Sequence, residues 1–240
     1  SKLSKRHGAT SVTEYRNQGY LPEALINFMA LLGWNTGDNR ELFSQEELIE
    51  EFSLEKISKS GAIFDINKLD WMNAEYIRKK SPSELAELCI PFLGDVLHIV
   101  ASDRDISQIQ YLEKIMILEQ PRLKKLSDIA DKADYFFREP EYDGSLLTWK
   151  DMSNEEIIAS LERAGKILRA LDSPVTREIL QDAFFKEIGE GDKGELLWPL
   201  RAALTGKKAS PGPCEILEIL GVEEAMRRID AAKLLIKEKN

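Results

Sequence analysis

The feature that most restricts what this chain can fold into is a recurring helix-start signal. A serine is followed three residues later by a glutamate and then by an apolar stripe of helical period. It stands at Ser44-x-x-Glu47 ahead of Leu48, Ile49 and Phe52, and at Ser81-Pro82-Ser83-Glu84 ahead of Leu85 to Phe92. A third copy, Ser153-x-x-Glu156, precedes Ile157, Leu161, Ala164, Leu168 and Leu171 at three- and four-residue steps. In each, the serine hydroxyl can accept from the glutamate N–H while the carboxylate reaches back to the serine N–H. Two donors that a first helical turn leaves open are thereby satisfied. Pro22 opens an apolar run, Ala24 to Leu32, broken only by Asn27 and stopped by Gly33; it reads as one buried helix. Gly221 precedes a last amphipathic helix carrying Ala225, Ile229, Ala232 and Ile236. Only Ala62-Ile63-Phe64-Asp65-Ile66 reads as extended, and it is too short to imply a large sheet. The expected fold class is mainly α: a small α/β module followed by two helical bundles.

The chain has 240 residues, room for one large domain or two to three small ones, and its 43% hydrophobic share can bury a sizeable core. Helical pattern becomes continuous after Asp70 to Ser81, and the polar stretch Arg138 to Ser145 separates two helical groups. The expected parts are residues 1–70, 71–145 and 146–240. No run reaches the roughly eighteen apolar residues of a membrane-spanning helix, and the basic, polar start does not read as a signal peptide. Cys89 and Cys214 lie far apart, with neither metal-ligand nor redox spacing. They read as small buried hydrophobes in a reducing compartment, cytoplasm or organelle matrix.

A net charge of −9 argues at first against nucleic acid, since phosphate neutralisation supplies most of that affinity. The local field decides, however, and here the charges are segregated. Acid concentrates at Glu41 to Glu55 and Glu139 to Glu156. Base gathers at Lys2/Lys5/Arg6, Arg78/Lys79/Lys80, Arg122/Lys124/Lys125, Arg201/Lys207/Lys208 and Arg227/Arg228. Such a chain is compatible with a nucleic-acid partner, and equally with no nucleic acid at all.

Lys2-Leu3-Ser4-Lys5-Arg6 resembles the KMSKS signature of class I aminoacyl-tRNA synthetases, in the form typical of bacterial-type glutamyl-tRNA synthetases. Glu23 to Trp34 is similar to that family's "EALLNYLALLGW", and Phe43-Ser44-x-x-Glu47-Leu48-Ile49 follows at the family's spacing. Lys59-Ser60-x-Ala62-x-Phe64-Asp65 and Lys68-Leu69-x-Trp71-x-Asn73 come next. Leu200-Arg201-Ala202-Ala203-Leu204-Thr205-Gly206 resembles "LRVALTG", with Ser210-Pro211-Gly212 and Leu217-x-x-Leu220-Gly221 after it. The resemblance runs over essentially the whole chain, is weakest from Ile90 to Ala170, and is to the C-terminal half of such an enzyme. The family's nucleotide-binding fold, HIGH motif and glutamate pocket have no counterpart in the sequence.

The resemblance implies the tRNA-recognition portion of a glutamate–tRNA ligase, with a stem-contact module and two anticodon-binding helical parts. It implies ATP and Mg²⁺ as cofactors of the whole enzyme, held by nothing in this chain alone. It implies tRNA(Glu), with or without tRNA(Gln), and an N-terminal catalytic domain as partners, no membrane, and a monomer. Alone, the chain is expected to be inactive. Lys2, Leu3, Ser4, Lys5 and Arg6 are the implied ATP-binding residues. Lys5 is chief among them, a compact mobile charge suited to following a phosphate. Arg201, Lys208, Ser210, Pro211 and Pro213 fall where the family touches the anticodon. A Gly/Pro/Ser loop flanked by cations suits that task, because backbone groups and hydroxyls read base edges while cations hold phosphates. The family more often has Leu where Pro213-Cys214 stands. Arg122, in Pro121-Arg122-Leu123-Lys124-Lys125-Leu126, resembles the "ERxKTL" stretch that bears on which anticodon base is accepted. Its bland alternative is a solvated helix start.

The remaining candidates read as structural. Trp34 and Trp71 sit in apolar patterns and are expected in the core, whereas Trp149 and Trp198 could stack on bases. His7 and His98 have no adjacent acid, serine or cysteine arranged for catalysis, and no metal site is expected. Glu46-Glu47 and Glu50-Glu51 read as a solvated face. Two rival readings stay open: a non-catalytic tRNA-binding or scaffold paralogue, and an unrelated helical interaction module.

Overall fold

The computed structural model describes residues 11–58, 63–94, 106–172 and 174–237. The chain divides into two compact units, Ser1–Asp131 and Lys132–Asn240. The division falls ahead of the polar stretch at 138–145.

In the first unit, α1 (Val12–Asn17) leads to α2 (Pro22–Leu31), α3 (Gln45–Glu51), α4 (Ile66–Arg78), α5 (Pro82–Leu93) and α6 (Ile106–Glu119). The capping boxes form as the chemistry requires at Ser44/Glu47 and Ser81/Glu84, and a further one stands at Ser11/Glu14. One core joins Tyr20, Leu25 and Phe28 to Leu69 and Met72 of α4; another gathers Trp34, Phe43 and Leu48. Asn27, the one break in the apolar run, is wholly buried and is the junction of this packing. Its Oδ1 accepts from the Phe43 N–H at 2.9 Å and from the Tyr76 hydroxyl, which stitches α2 to α4. Asn73 does the same for a turn. Its Oδ1 accepts from the Leu21 N–H at 2.8 Å, and its Nδ2 donates to the Lys124 carbonyl at 2.6 Å. Gly19, at φ +84°, passes so close to that turn that a Cβ would lie 2.6 Å from the Ser127 nitrogen.

The unit is helical, as the mainly α expectation has it, and among the described residues its expected α/β component shows no sheet. Among the described residues the single β pairing is an isolated antiparallel bridge, Trp34 to Ile57. Ile63 to Asp65 form no strand, and Asp65 is used otherwise. Its carboxylate accepts from the Asn67 N–H at 2.9 Å and opens α4. Phe64 packs edge-on against Phe28, ring centres 5.0 Å apart. Trp34 is buried as expected, but Trp71 is 41% exposed. The buried side of α4 is held by Leu69, Met72, Asn73 and Tyr76, and Trp71 points off it. Residue 70 itself lies inside α4, which runs unbroken through it.

The boundary passes through α7 (Ile129–Lys132). The second unit then carries α8 (Asn154–Arg169), α9 (Arg177–Ile188), α10 (Lys193–Thr205), α11 (Pro213–Leu220) and α12 (Val222–Lys237). Helices α8, α10 and α12 pack on one another. Ile157, Leu161, Ala164 and Leu168 of α8, Ala225, Ile229, Ala232 and Ile236 of α12, and Leu196, Leu200 and Leu204 of α10 are all buried in this packing. The periodic stripes seen in the sequence are the stripes that are buried, which is the hydrophobic argument for a helix face. Leu171 falls just past the end of α8. Cys89 and Cys214 are free and buried, one in each unit, and burial pushes their thiols up to about 12 and about 11. No described helix is long and apolar enough to cross a membrane. Among the described residues no three His, Cys, Asp or Glu side chains gather as metal ligands.

Candidate nucleic-acid interface

Helix α10 ends because Gly206 takes the left-handed conformation, φ +64°, and its N–H closes on the Ala202 carbonyl at 2.8 Å. A Cβ at Gly206 would stand 2.9 Å from Pro140 Cβ and 3.0 Å from Tyr142 Cδ1. Only glycine fits both the turn and the approach of the 140–142 segment. Thr205 fixes the next step. Its hydroxyl donates to the Arg201 carbonyl at 2.8 Å and accepts from the Lys207 N–H at 3.1 Å.

Arg201 organises the loop that follows. It is 9% exposed, and its guanidinium lies over the Trp198 ring, 4.4 Å from the centre. Nη1 donates to the Lys207 carbonyl at 3.2 Å and to Ser210 Oγ at 3.0 Å, and Nη2 donates to the Lys208 carbonyl at 3.1 Å. Nη1 and Nη2 of Arg201 are thus directed into its own loop, which the side chain braces from beneath. Ser210 is half-buried, with its hydroxyl donating to the Pro211 carbonyl at 3.1 Å. Pro213 is buried at the first position of α11, where its ring sets the helix start rather than facing solvent. Pro211 is half-buried.

The two lysines of the loop differ. Lys207 Nζ reaches Asp134 Oδ2 at 3.2 Å, and Arg138 pairs with the same oxygen at 2.7 Å. Lys208 is exposed and makes no ion pair among the described residues. It borders a groove of about 650 Å³ whose lining includes Tyr142, Ser145, Thr148, Trp198 and Gly206. That volume is of the order that holds a small planar ligand. Burial pushes the Tyr142 phenol up to about 12, with the Arg228 charge pulling the other way.

Trp198 is not a bare platform. Its Nε1 donates to the Leu146 carbonyl at 2.9 Å, and Trp149 lies 5.3 Å away on a tilted ring. Trp149 donates to Asp192 Oδ2 at 3.1 Å. Hydrogen bonds from Lys150, then Trp149 and the Gly194 N–H, pull the Asp192 carboxyl down to about 2. Arg201, Trp198 and Trp149 thus form one ladder beside the groove.

Arg122, in the other unit, ends a 3₁₀ turn (Gln120–Arg122), and its Nη1 donates at 2.8 Å to the carboxylate of Glu119, which has no exposure. Much of its charge answers that buried acid. Among the paired glutamates, Glu47 and Glu51 both hold Arg40, so that face is an ion-pair cluster as well as a solvated one. Lys2, Leu3, Ser4, Lys5 and Arg6, with His7 and His98, lie outside the described residues. The sequence reading did not connect Asp134, Tyr142 and Arg228 with the end of α10 and its loop; they come there only through the fold, and their separation along the chain leaves no local signal.

The comparisons with known proteins bear on the same residues. Residues 84–233 match the family model of the anticodon binding domain, and residues 1–71 match that of the class I (E and Q) tRNA synthetase catalytic domain. A glutamate–tRNA ligase of Dehalococcoides mccartyi is 43% identical over 97% of this chain and 48% of its own length. One from Thermoanaerobacter pseudethanolicus is 40% identical with the same coverage. The crystal structure of a glutamate tRNA ligase from Elizabethkingia meningosepticum, in complex with its amino acid, superposes with a TM-score of 0.77. It is 30% identical, over 98% of this chain and 48% of that one. The chain spans about half the length of the curated relatives it matches. With the anticodon-binding match extending over more than half of its residues, this chain belongs to the anticodon binding domain family.

Proposed function

We propose that this chain recognises tRNA(Glu) for a glutamate–tRNA ligase. Residues 1–70 would carry the ATP loop and the contact to the tRNA stem. Residues 71–145 and 146–240 would form two helical parts that meet the anticodon. The observation that carries the reading is the loop after α10. It is braced from inside by Arg201 and leaves one lysine, Lys208, exposed beside an aromatic-walled groove. A preset loop loses little conformational freedom on binding, which is how a small contact surface gains affinity. Lys208 holds a phosphate, while loop backbone groups and the hydroxyls of Ser145 and Thr148 read unstacked base edges. Ser210 and Pro211 shape the loop, and Arg122 bears on the choice between tRNA(Glu) and tRNA(Gln).

ATP with Mg²⁺ supplies the activated phosphate for the whole enzyme's reaction. The residues proposed to grip it, Lys2 to Arg6 with Lys5 foremost, lie outside the described residues. The working protein is a cytoplasmic or organelle-matrix monomer that operates with a catalytic domain. The test is fluorescence anisotropy of tRNA(Glu) with this chain, beside an anticodon-swapped tRNA(Glu) and tRNA(Gln). Binding that weakens on the swap supports the reading. Equal binding to all three, or none at low salt, overturns it. Adding a separate catalytic domain should restore glutamylation; no restoration would favour a non-catalytic paralogue instead.

A further inference from the structure

The last carbonyls of a helix have no partner further along it. At the end of α10, the Ala202 carbonyl is taken by the Gly206 N–H and the Leu204 carbonyl by Arg228 Nη1, a donor that arrives from α12. Arg228 is 4% exposed. Its Nε donates to Glu224 Oε1 at 2.6 Å, which aims the guanidinium at α10. Glu224 is held independently, receiving bonds of 2.8 and 2.7 Å from Arg227. An apolar side chain would fill this site without the desolvation cost of a buried cation. What the guanidinium alone supplies is a donor and a positive charge at the C-terminus of α10. They act on the residue before Thr205 and Gly206, where the chain direction of the loop is set.

We propose that Arg228 is a positioning residue for the RNA-reading loop. By capping Leu204 from α12 it fixes the direction in which residues 206–212 leave α10, and so where Lys208 is presented. The C-terminal helix then contributes to RNA recognition through the loop rather than by its own contact. This inference rests on the reading of the loop given under Proposed function.

The test uses the full chain in four variants: Arg228→Met, Arg228→Lys, Lys208→Ala, and Ile236→Val as a control for lost α12 packing. Amide hydrogen exchange reads the loop, and anisotropy of a short RNA hairpin bearing the anticodon loop of tRNA(Glu) reads binding. Arg228→Met should speed exchange at Gly206 and Lys207 about tenfold and weaken RNA binding about tenfold, as loss of a buried charged hydrogen bond does. Arg228→Lys should recover part of both, and Ile236→Val should move neither. Unchanged exchange at Gly206 and Lys207, or equal RNA loss in Ile236→Val, overturns the inference. Loosened amides with full RNA binding, while Lys208→Ala binds weakly, overturn it and leave the loop reading standing. If Lys208→Ala and Arg228→Met both bind RNA as well as the parent, the loop reading falls and this inference with it.

Discussion

Replacing Arg201 by alanine separates a brace from a base contact. The substitution removes at least three hydrogen bonds from a charged donor to the loop, and the guanidinium over Trp198. Two of the lost partners are loop carbonyls that can turn to water, so each bond is taken at about 1 kcal/mol, the value of an ordinary hydrogen bond rather than the larger one of a fully buried charged pair. The ring contact adds about 0.5–1 kcal/mol. The expected destabilisation is therefore about 3–4 kcal/mol, out of a domain stability of roughly 5–15 kcal/mol. The variant should fold and melt roughly 10 °C lower. Tryptophan fluorescence and near-ultraviolet circular dichroism would follow the melt, since Trp198 loses its neighbour. RNA affinity should fall as well, because a loosened loop must be ordered on binding. A melting temperature equal to the parent's with RNA binding lost would refute the brace and restore Arg201 as a direct contact.

Other consequences can be measured on the same chain. Gly206→Ala places a methyl group against Pro140 and Tyr142 in a left-handed backbone and should cost about 2–4 kcal/mol by denaturant titration; a loss below 1 kcal/mol would contradict the geometry. Tyr142 titrates near 12 when folded and at its ordinary 10 when unfolded. Because the folded value is the raised one, this group's stabilisation is complete below pH 10 and declines as pH climbs toward 12, by about 2–3 kcal/mol. Tyr142→Phe should flatten that decline, and an identical pH curve for variant and parent would remove Tyr142 as its source. Arg122→Ala leaves the Glu119 carboxylate buried without this cation and should destabilise the first unit by about 3 kcal/mol. Arg122→Ala combined with Glu119→Gln should recover much of that loss, and no recovery would deny the pair.

What could be read in the sequence was what is encoded locally. Ser44, Ser81 and Ser153 open helices because a capping box needs only residues within one turn. The stripe from Ile157 to Leu168 is buried because helical period alone defines a face. Ile63 to Asp65 form no strand because a strand needs a partner, and Asp65 serves instead as the cap of α4. Arg201 was legible as a loop-flanking cation, but its bracing of the loop was not, since two of its acceptors, the Lys207 and Lys208 carbonyls, carry no side-chain identity to signal them. Lys207 and Asp134 stand 73 residues apart and Arg228 meets Leu204 across 24, so neither contact leaves a mark in spacing. Trp71 shows the reverse error: an apolar neighbourhood in sequence that the helix turns outward.

In the function proposed, a preset loop presents Lys208 to an RNA phosphate. The most direct test of this is the salt dependence of tRNA(Glu) affinity for the parent chain and for Lys208→Ala, with melting temperatures measured in parallel. Equal melting temperatures, weaker binding by the variant, and a log–log salt slope shallower by about one are expected. Identical slopes and affinities in a folded variant would contradict the function proposed.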